Sequence, residues 1–236
     1  WISTAVLVLV GLSIALTGSA AAQSADIVVA TDGSGDYASI QNAVDNADDI
    51  DRIEIKSGTY KESVTIDKNV TIVAPERATL APSPSGAASS GITITKHAAP
   101  QISGFDIQNF DNGINAGIIG GKEPTNRDWT VTNVSINGNN EGFSSGIQAD
   151  RSSGEFLVRN VVINNTHFGI RVARSTGAWQ GQNISINNPQ RDGISAYQST
   201  GEWAIEDIIV NHAGGDGVFA YDSRGDWTVE STTIIN

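Results

Sequence analysis

The second half of the sequence, from about residue 126 to residue 236, consists of almost five copies of one short sequence repeat, which we call a phrase. Each of the last four copies opens with a glycine, one further residue and a bulky aromatic residue, and these glycines are 23, 24 and 24 residues apart. The glycines are Gly154, Gly177, Gly201 and Gly225, and a longer copy opens at Asp128. Self-similarity with a period of roughly 20–50 residues is typical of solenoids and propellers.

The pattern inside each phrase predicts strands and not helices. Three short apolar segments recur in every phrase, each ended by Gly, Asn or Asp, and their apolar residues alternate with polar ones. That alternation is typical of a strand with one buried face. A propeller blade needs about 40 residues, and leucine is too scarce here for a leucine-rich repeat. We therefore predict an all-β fold, a right-handed parallel β-helix with three strands in each coil of 23–24 residues.

Residues at equal positions in successive coils should stack about 4.8 Å apart. We expect inward columns of aromatic, branched and small residues, with Gly181 facing inward beside the ring of Trp179. The columns are Trp129/Phe156/Trp179/Trp203/Trp227, Val134/Val161/Ile184/Ile208, Ile147/Ile170/Ile194/Val218 and Ala149/Val172/Ala196/Ala220. A turn column is expected to form a ladder of amide hydrogen bonds between coils. Its members are Asn137, Asn164, Asn187 and Asn211.

The first 25 residues carry the pattern of a secretory signal whose basic start is missing. Residues 2–22 are apolar or small and end in a run of alanines, as a cleavage site requires. A transmembrane anchor is the alternative, but the strongly apolar run from Ala5 to Leu16 is too short to span a bilayer. We expect three parts, which are the signal (1–25), an N-terminal cap with the first coils (26–100) and the repeat coils (101–236). The mature chain should be secreted or held at the cell surface.

The chain carries 26 acidic residues against 14 basic ones, a formal net charge of −12, and no cysteine. Such a charge disfavours nucleic acid and anionic membrane surfaces as partners, and an exported fold without cysteine is not held by disulfides. Few lysines among many aspartates resemble the secreted proteins of extreme halophiles, in which high salt screens the repulsion between carboxylates. Calcium binding and simple solubility are the alternative reasons for an acidic surface.

The segment before the repeats predicts strands and one short helix. Ser39 is a favourable N-cap for a helix over residues 40–47, whose apolar residues fall on one face. That face consists of Ile40, Ala43, Val44 and Ala47. A helix placed over the first coil would close the open end of a β-helix and shield its edge from other chains.

Residues 32–44 and 53–64 of this segment resemble the opening of pectinesterases. The similar strings are Asp32-Gly33-Ser34-Gly35-Asp36-Tyr37, Ile40-Gln41-Asn42-Ala43-Val44 and Ile53-Glu54-Ile55-Lys56-Ser57-Gly58-Thr59-Tyr60-Lys61-Glu62-Ser63-Val64. Other pectin-lyase-fold proteins share this opening, and the later phrases resemble the parallel β-helix repeat proteins of the NosD type. The resemblance implies a pectin-lyase-like fold and a carbohydrate ligand. The pectinesterase strings Asp-Phe-Ile-Phe-Gly and Gln-Ala-Val-Ala-Leu are absent, and the polygalacturonase strings are absent from the matching places.

Two functions are consistent with this sequence. The first is a module that binds polysaccharide or a surface glycan without catalysis, which the missing strings favour. The second is a polysaccharide lyase or glycoside hydrolase acting on an acidic polysaccharide, and for it the sequence indicates no catalytic residue. His97, His167 and His212 fall in different columns, so no pair of them is expected to share a metal ion.

The outward positions of the third strand in each coil predict a ligand face. Guanidinium groups pair with uronate carboxylates, and exposed rings can pack on the C–H groups of sugars. The predicted binding residues, which we name the ligand face, are Arg171, Arg174, Tyr197, Phe219 and Tyr221. Asp192 and Asp216 should stack at the strand entrance, where they form a candidate Ca²⁺ site. The alternatives are that aromatic residues merely favour strand surfaces and that Asp-Gly is an ordinary turn.

The sequence stops inside a coil, so we expect later coils to be missing from it. Residues 231–236 would then expose a strand edge with Ile234 and Ile235. Open edges of this kind pair with other chains. The predicted partners are therefore an acidic polysaccharide or surface glycan and a second copy of the chain at this end, without membrane insertion after signal cleavage.

Overall fold

The computed structural model describes residues 25–84, 90–95, 97–117, 127–139 and 144–235. The predicted signal, residues 1–24, lies outside the described residues. Within them the chain is built of parallel strands and one short helix, and no helix in these ranges has the length and apolar character that crossing a membrane requires. The predicted all-β parallel β-helix is confirmed.

Short and long strands follow one another along the described chain, and the helix comes directly after the first strand. The elements are β1 (Ile27–Val29), α1 (Ile40–Asn46), β2 (Arg52–Ile55), β3 (Thr59–Lys61), β4 (Val64–Ile66), β5 (Thr71–Ala81), β6 (Ser90–Ile94), β7 (Gln101–Gln108), β8 (Asn112–Asn115), β9 (Trp129–Asn137), β10 (Ser145–Gln148), β11 (Phe156–Asn164), β12 (Phe168–Ala173), β13 (Trp179–Asn187), β14 (Ile194–Tyr197), β15 (Trp203–Asn211), β16 (Val218–Tyr221), β17 (Trp227–Glu230) and β18 (Thr233–Ile235).

The strands form two parallel sheets. The first, which we call the long-strand sheet, follows the order β1-β2-β5-β7-β9-β11-β13-β15-β17, with β3 beside β5 and β18 beside β15. The second, the short-strand sheet, follows the order β4-β6-β8-β10-β12-β14-β16. Strands in the repeats pair at the offset of the aligned glycines, so that Phe156 pairs with Trp179, and Trp179 pairs with Trp203. The repeat in the sequence is therefore also the repeat in space.

Each long strand of the repeats contains a corner. In β9 the buried residues are Trp129 and Val131 and then Val134 and Ile136, so the alternation slips by one residue. Asn133, at the slip, has a φ of 54°, a left-handed conformation that asparagine tolerates better than most residues. The equivalent residues in the next coils are Asn160 (53°), Asn183 (52°) and Asp207 (54°). Two of the three strands predicted for each coil are thus the two arms of one bent strand.

The aromatic column lies inside the solenoid and its rings are stacked. Successive centroids are 4.4 Å apart for Trp129–Phe156, 5.5 Å for Phe156–Trp179, 5.6 Å for Trp179–Trp203 and 5.2 Å for Trp203–Trp227. Trp227 is 50% exposed, unlike the other four, because no described coil packs on its outer side. A β carbon added to Gly181 would lie 3.2 Å from the Trp179 ring, which confirms the inward glycine.

The predicted asparagine ladder is present between the later coils. The Nδ2 group of Asn187 donates to Oδ1 of Asn164 at 2.9 Å, and that of Asn211 donates to Oδ1 of Asn187 at 2.7 Å. In the coil before that of Asn164, Oδ1 of Asn137 accepts a hydrogen bond from the side chain of Asn165 at 2.8 Å. Amide groups that serve as both donor and acceptor can continue from coil to coil without leaving an unpaired atom.

A second asparagine ladder, which the sequence analysis missed, runs along the corners. Asn160 donates to Asn133 at 3.0 Å, and Asn183 donates to Asn160 at 2.8 Å. Each of these asparagines precedes a member of the predicted ladder by four residues, which is the sequence signal that could have identified it. Asparagine is favoured at the corner for two reasons. It tolerates the left-handed backbone conformation, and its side-chain amide forms a hydrogen bond to the adjacent coil.

Helix α1 covers the first coil and is held at both ends. Its apolar side chains are buried at Ile40, Ala43, Val44 and Ala47. Glu62 accepts hydrogen bonds from the hydroxyl of the N-cap Ser39 and from two backbone N–H groups of the first turn, at 2.7–3.0 Å. Lys68 donates to two carbonyl groups at the end of the helix, at 2.6 and 2.8 Å. The helix is therefore attached to the solenoid by packing and by charge-assisted hydrogen bonds.

Candidate ligand-binding face

Residues on the outward face of the short-strand sheet stand in one column, which we call the stripe and in which Asn115 and Ser195 are buried. The parallel register places one outward residue of each strand beside the next, at the strand spacing of about 4.8 Å. The stripe consists of Thr65, Thr93, Asn115, Gln148, Arg171, Ser195 and Phe219. It changes from polar residues at the N-terminal end to a cation and then an aromatic ring, and its register from Gln148 to Phe219 is the predicted one.

A second column of aromatic rings lies beside this stripe. Ala173, Tyr197 and Tyr221 are register partners, and the two tyrosine rings are parallel with centroids 5.6 Å apart. Phe219 of the stripe lies 6.2 Å from the Tyr221 ring with its plane tilted by 3°. Tyr221 is 56% exposed. Tyr197 and Phe219 are partly exposed, and Tyr221 stands on β16, the last described strand of its sheet. These three aromatic residues of the ligand face therefore form one platform, whose Tyr221 end is not covered by a further described coil.

The two predicted arginines of the ligand face adjoin the platform on different sides. The guanidinium carbon of Arg174 lies 5.8 Å from the centroid of the Tyr197 ring. Arg171 lies over the ring of Phe168, at 5.5 Å from its centroid. Cations held over ring faces keep their N–H groups directed sideways, where they can donate to a ligand.

Three residues of this region were missed in the sequence analysis. Arg191 lies over the same Phe168 ring as Arg171, at 5.6 Å, and Arg151 lines a hollow together with Arg171 and Arg174. Phe168, Arg151 and Arg191 stand at the ends of strands or in turns, where the alternation that assigns outward positions does not apply. Arg171, Phe168 and Arg191 line a second open hollow of about 470 Å³.

The four arginines form a cationic group on an acidic protein. Nine arginines occur in the whole sequence, and its formal net charge is −12. Four of the nine adjoin the aromatic platform, namely Arg151, Arg171, Arg174 and Arg191. The same two hollows are lined by two acidic residues, Asp150 and Asp192, so that basic residues outnumber acidic ones there although the protein as a whole is acidic.

The carboxylate of Asp150 lies inside the cationic group. Its Oδ2 atom is 3.1 Å from Nη1 of Arg171 and accepts from Nε2 of Gln148 at 2.9 Å, and its Oδ1 atom accepts from the backbone N–H of Ala173 at 3.1 Å. Oε1 of Gln148 in turn accepts from Nδ2 of Asn115 at 3.2 Å. Burial raises the pKa of Asp150 above its ordinary value of 3.8, against the opposing effects of Arg171 and the hydrogen bonds.

The predicted calcium residues stand at the strand entrance as expected. Asp192 is buried, and its Oδ1 atom accepts from the backbone N–H of Asp216 at 3.1 Å. That carboxylate oxygen already accepts a hydrogen bond from the turn. Ca²⁺ takes about 6–8 oxygen ligands, more than two aspartates provide. In the described part of the chain, no group of three or more His, Cys, Asp or Glu residues is arranged to hold a metal ion. Calcium binding by these two aspartates stays a prediction.

Hollows are also present where the long strands of the repeat coils begin. Their acidic lining residues are Asp128, Glu155, Glu202 and Asp226. A row of carboxylates repels an anionic polymer. Of the two sheet faces, the short-strand one is therefore better suited to an acidic ligand.

Comparison with known proteins connects the first coils to carbohydrate-active proteins. Residues 26–100 match the family model for pectinesterase. An Arabidopsis thaliana protein described as "Probable pectinesterase/pectinesterase inhibitor 6" is 36% identical over a segment that covers 36% of this chain and 21% of that protein, so the chain spans about a fifth of its length. The pectinesterase-like opening inferred from the sequence is confirmed. The ligand face lies after it, outside residues 26–100.

Solved structures of similar fold cover most of the chain at low identity. Escherichia coli YbhC is 12% identical, with a TM-score of 0.48 over 89% of this chain and 85% of that one. The pectin methylesterase from carrot is 13% identical, with a TM-score of 0.45 over 89% of this chain and 83% of the enzyme. The resemblance to NosD-type repeats and to halophilic proteins stays a prediction.

Proposed function

We propose that this chain is an extracellular or cell-surface module that binds an acidic polysaccharide along the short-strand sheet. The observation that carries the proposal is the gathering of four of nine arginines around an open aromatic platform, in a protein of net charge −12. A local concentration of guanidinium groups attracts carboxylates, and each guanidinium can bind a carboxylate through a bidentate pair of hydrogen bonds. The acidic remainder of the surface keeps such a polymer away from other faces.

The shape of the face favours a linear polymer that runs parallel to the solenoid axis. Its columns repeat about every 4.8 Å, a spacing close to the length of one sugar unit in an extended chain. Uronate groups would lie over Arg171 and Arg174, and the sugar faces would pack on Tyr197 and Tyr221. Pectinesterases, whose family model matches residues 26–100, are named for pectin, which is a polysaccharide of this chemical class.

The experiment is retention of the purified chain on immobilised polygalacturonate, with a neutral polysaccharide as the reference matrix. Tyr197→Ala combined with Tyr221→Ala should weaken binding by at least about tenfold, because aromatic residues carry much of the energy of such contacts. Runs with and without calcium test the site at Asp192 and Asp216. Unchanged retention of a folded double variant would remove the ligand face from consideration.

A matched charge control is available on the other sheet. Arg171→Gln and Arg159→Gln each remove one cation, but Arg159 is exposed on the outside of β11 in the long-strand sheet. Arg171→Gln should weaken retention on polygalacturonate and reduce its salt dependence, whereas Arg159→Gln should change neither. Equal effects of the two variants would show that only the total charge matters.

Catalysis on the same polymer is the second candidate function. It is favoured by the pectinesterase-like opening and by the buried carboxyl of Asp150 beside the cationic group, since carboxyls with raised pKa values serve as general acids. Incubation with polygalacturonate and with methyl-esterified pectin tests it. Release of methanol would identify an esterase, unsaturated products would identify a lyase, and new reducing ends without unsaturated products would identify a hydrolase.

A further inference from the structure

A carboxylate of the protein already occupies a place on Arg171 that a ligand carboxylate would take. Oδ2 of Asp150 lies 3.1 Å from Nη1 of Arg171. Gln148 and the backbone N–H of Ala173 hold the two oxygens of Asp150 at 2.9 and 3.1 Å. Only 15% of the Asp150 side chain is exposed. Asp150 is therefore a fixed internal anion within the cationic group.

Arg171 keeps an accessible surface despite this pairing. Its side chain is 33% exposed and its guanidinium group lies over the Phe168 ring. A guanidinium has five N–H donors in a planar fork, so donors remain for a ligand after Asp150 is paired. A uronate that binds there would, however, lie close to the charge of Asp150, and the two carboxylates would repel each other.

We propose that Asp150 is a specificity-determining residue of the ligand face, whose negative charge weakens uronate binding at Arg171 and whose neutralisation strengthens it. The inference rests on the proposed polysaccharide binding. It applies to an anionic polysaccharide, because a neutral sugar would be insensitive to the charge of Asp150. Binding should therefore be tightest in mildly acidic solution.

Five groups face Asp150, and two of them, Arg171 and Arg151, oppose the rise in its pKa that burial causes. The five are Arg151 in its own turn, Arg171 on β12, Arg174 after that strand and Tyr197 on β14, together with Gln148. Guanidinium groups keep their charge throughout the range in which proteins are stable. Burial raises the pKa of Asp150, whereas a sugar carboxyl in solvent keeps its ordinary value. A pH range therefore exists in which the ligand is charged and Asp150 is neutral.

The first test compares dissociation constants for oligogalacturonate between about pH 4 and about pH 8 at constant ionic strength. The wild-type Kd should fall as the pH falls. Asp150→Asn should bind about tenfold more tightly than wild type near neutral pH, the factor expected from one charge-assisted contact, with little pH dependence. The matched control is Asp207→Asn, which removes the same charge at a corner where the preceding coils already carry asparagine.

The second test uses the wild-type protein alone and so does not depend on the folding of a variant. Calorimetric titrations in buffers with different ionisation enthalpies report protons taken up on binding. If the ligand favours the neutral form of Asp150, oligogalacturonate binding must be accompanied by proton uptake of up to about one proton per site at some pH between about 4 and about 8, so the titrations are repeated across this range. A neutral oligosaccharide of the same length should bind without proton uptake.

The outcomes separate this inference from the proposed function. A wild-type protein that binds oligogalacturonate without proton uptake, or with a Kd that does not fall as the pH falls, overturns the role of Asp150 and leaves polysaccharide binding in place. A folded Asp150→Asn protein that binds no better than Asp207→Asn near neutral pH does the same. If neither wild type nor Asp150→Asn binds oligogalacturonate at any pH, the proposed function fails and the inference fails with it.

Discussion

The rings of Tyr197 and Tyr221 lie parallel, with centroids 5.6 Å apart and planes tilted by 8°. The two residues are 24 positions apart and are direct register partners between β14 and β16. Trp203 and Trp227, also 24 positions apart, stack in the same way at 5.2 Å on the buried side of the long-strand sheet. The same repeat length therefore sets the stacking of side chains in the core and on the surface. A side chain at a repeat position contacts the equivalent side chains of the adjacent coils.

The buried tryptophan column should dominate the stability of the repeat coils. Trp203 is buried between the rings of Trp179 and Trp227, so Trp203→Ala should lower the free energy of unfolding by about 3–5 kcal/mol through the cavity it leaves. Urea unfolding followed by circular dichroism measures this loss. Trp203→Phe is the control and should lose much less, because Phe156 occupies the same column. A loss below about 1 kcal/mol for the alanine variant would contradict tight packing.

The corners should depend on the left-handed backbone as well as on the amide ladder. Asn183 has a φ of 52° and donates to Asn160 at 2.8 Å. Asn183→Ala should lower the free energy of unfolding by about 1–3 kcal/mol, because alanine resists this conformation and the hydrogen bond is lost. Asn183→Gly restores the backbone freedom but not the amide, so its loss should be smaller. Equal losses in urea titrations would assign the whole effect to the hydrogen bond.

The fold was predictable from the sequence because the copies of a repeat can be aligned with one another. Once the glycines before Phe156, Trp179 and Trp203 are aligned, the inward columns and the register follow from strand periodicity alone. The corner was less visible, since a single left-handed residue such as Asn183 leaves the flanking strands apolar and alternating. The sequence therefore predicted two strands where the structure has one bent strand.

The ligand face was predictable to the extent that it lies within strands. Tyr197 and Tyr221 follow from register, whereas Phe168 and Arg191 stand where strands begin and alternation gives no orientation. The contact between Asp150 and Arg171 joins two coils through the ends of long side chains. Such contacts depend on side-chain rotamers and burial, which the repeat does not determine.

The attachment of the capping helix should depend on one carboxylate. Glu62 accepts from the Ser39 hydroxyl and from the N–H groups of Ile40 and Gln41. Glu62→Ala leaves these donors without that acceptor and should lower the free energy of unfolding by about 1–3 kcal/mol. Amide hydrogen exchange in α1 should accelerate before the repeat coils are affected. Glu62→Gln, which keeps one acceptor oxygen, should show a smaller effect, and unchanged exchange in both variants would show that packing alone holds the helix.

The last described coil should promote association between copies of this 236-residue chain. Ile234 and Ile235 of β18 are each 47% exposed, and Trp227 of β17 is half exposed. Exposed apolar residues on an unpaired strand favour edge-to-edge contact. Sedimentation velocity over a range of concentrations should show oligomers, and Ile234→Asp combined with Ile235→Asp should shift the protein to monomer. A chain that is monomeric at high concentration before the substitutions would contradict this prediction.

The charge of Asp150 should also appear in the pH dependence of stability. Burial raises the pKa of its carboxyl above 3.8, with Arg171, Gln148 and the Ala173 N–H opposing the rise. A carboxyl whose pKa is higher in the folded than in the unfolded chain contributes stability that is fully present below the unfolded value and is lost as the pH rises through the folded value. Wild type should therefore lose stability relative to Asp150→Asn as the pH rises from about 4 towards neutrality.

Urea midpoints of the two proteins across this pH range measure the effect, with Asp207→Asn as the control for the loss of one charge. The difference in free energy of unfolding between wild type and Asp150→Asn should change with pH, and the difference between wild type and Asp207→Asn should change less. The opposite slope, in which wild type gains stability over Asp150→Asn as the pH rises, would mean that the ion pair with Arg171 outweighs burial. Asp150 would then be charged throughout the mildly acidic range, and the uronate preference at low pH would have to come from another group.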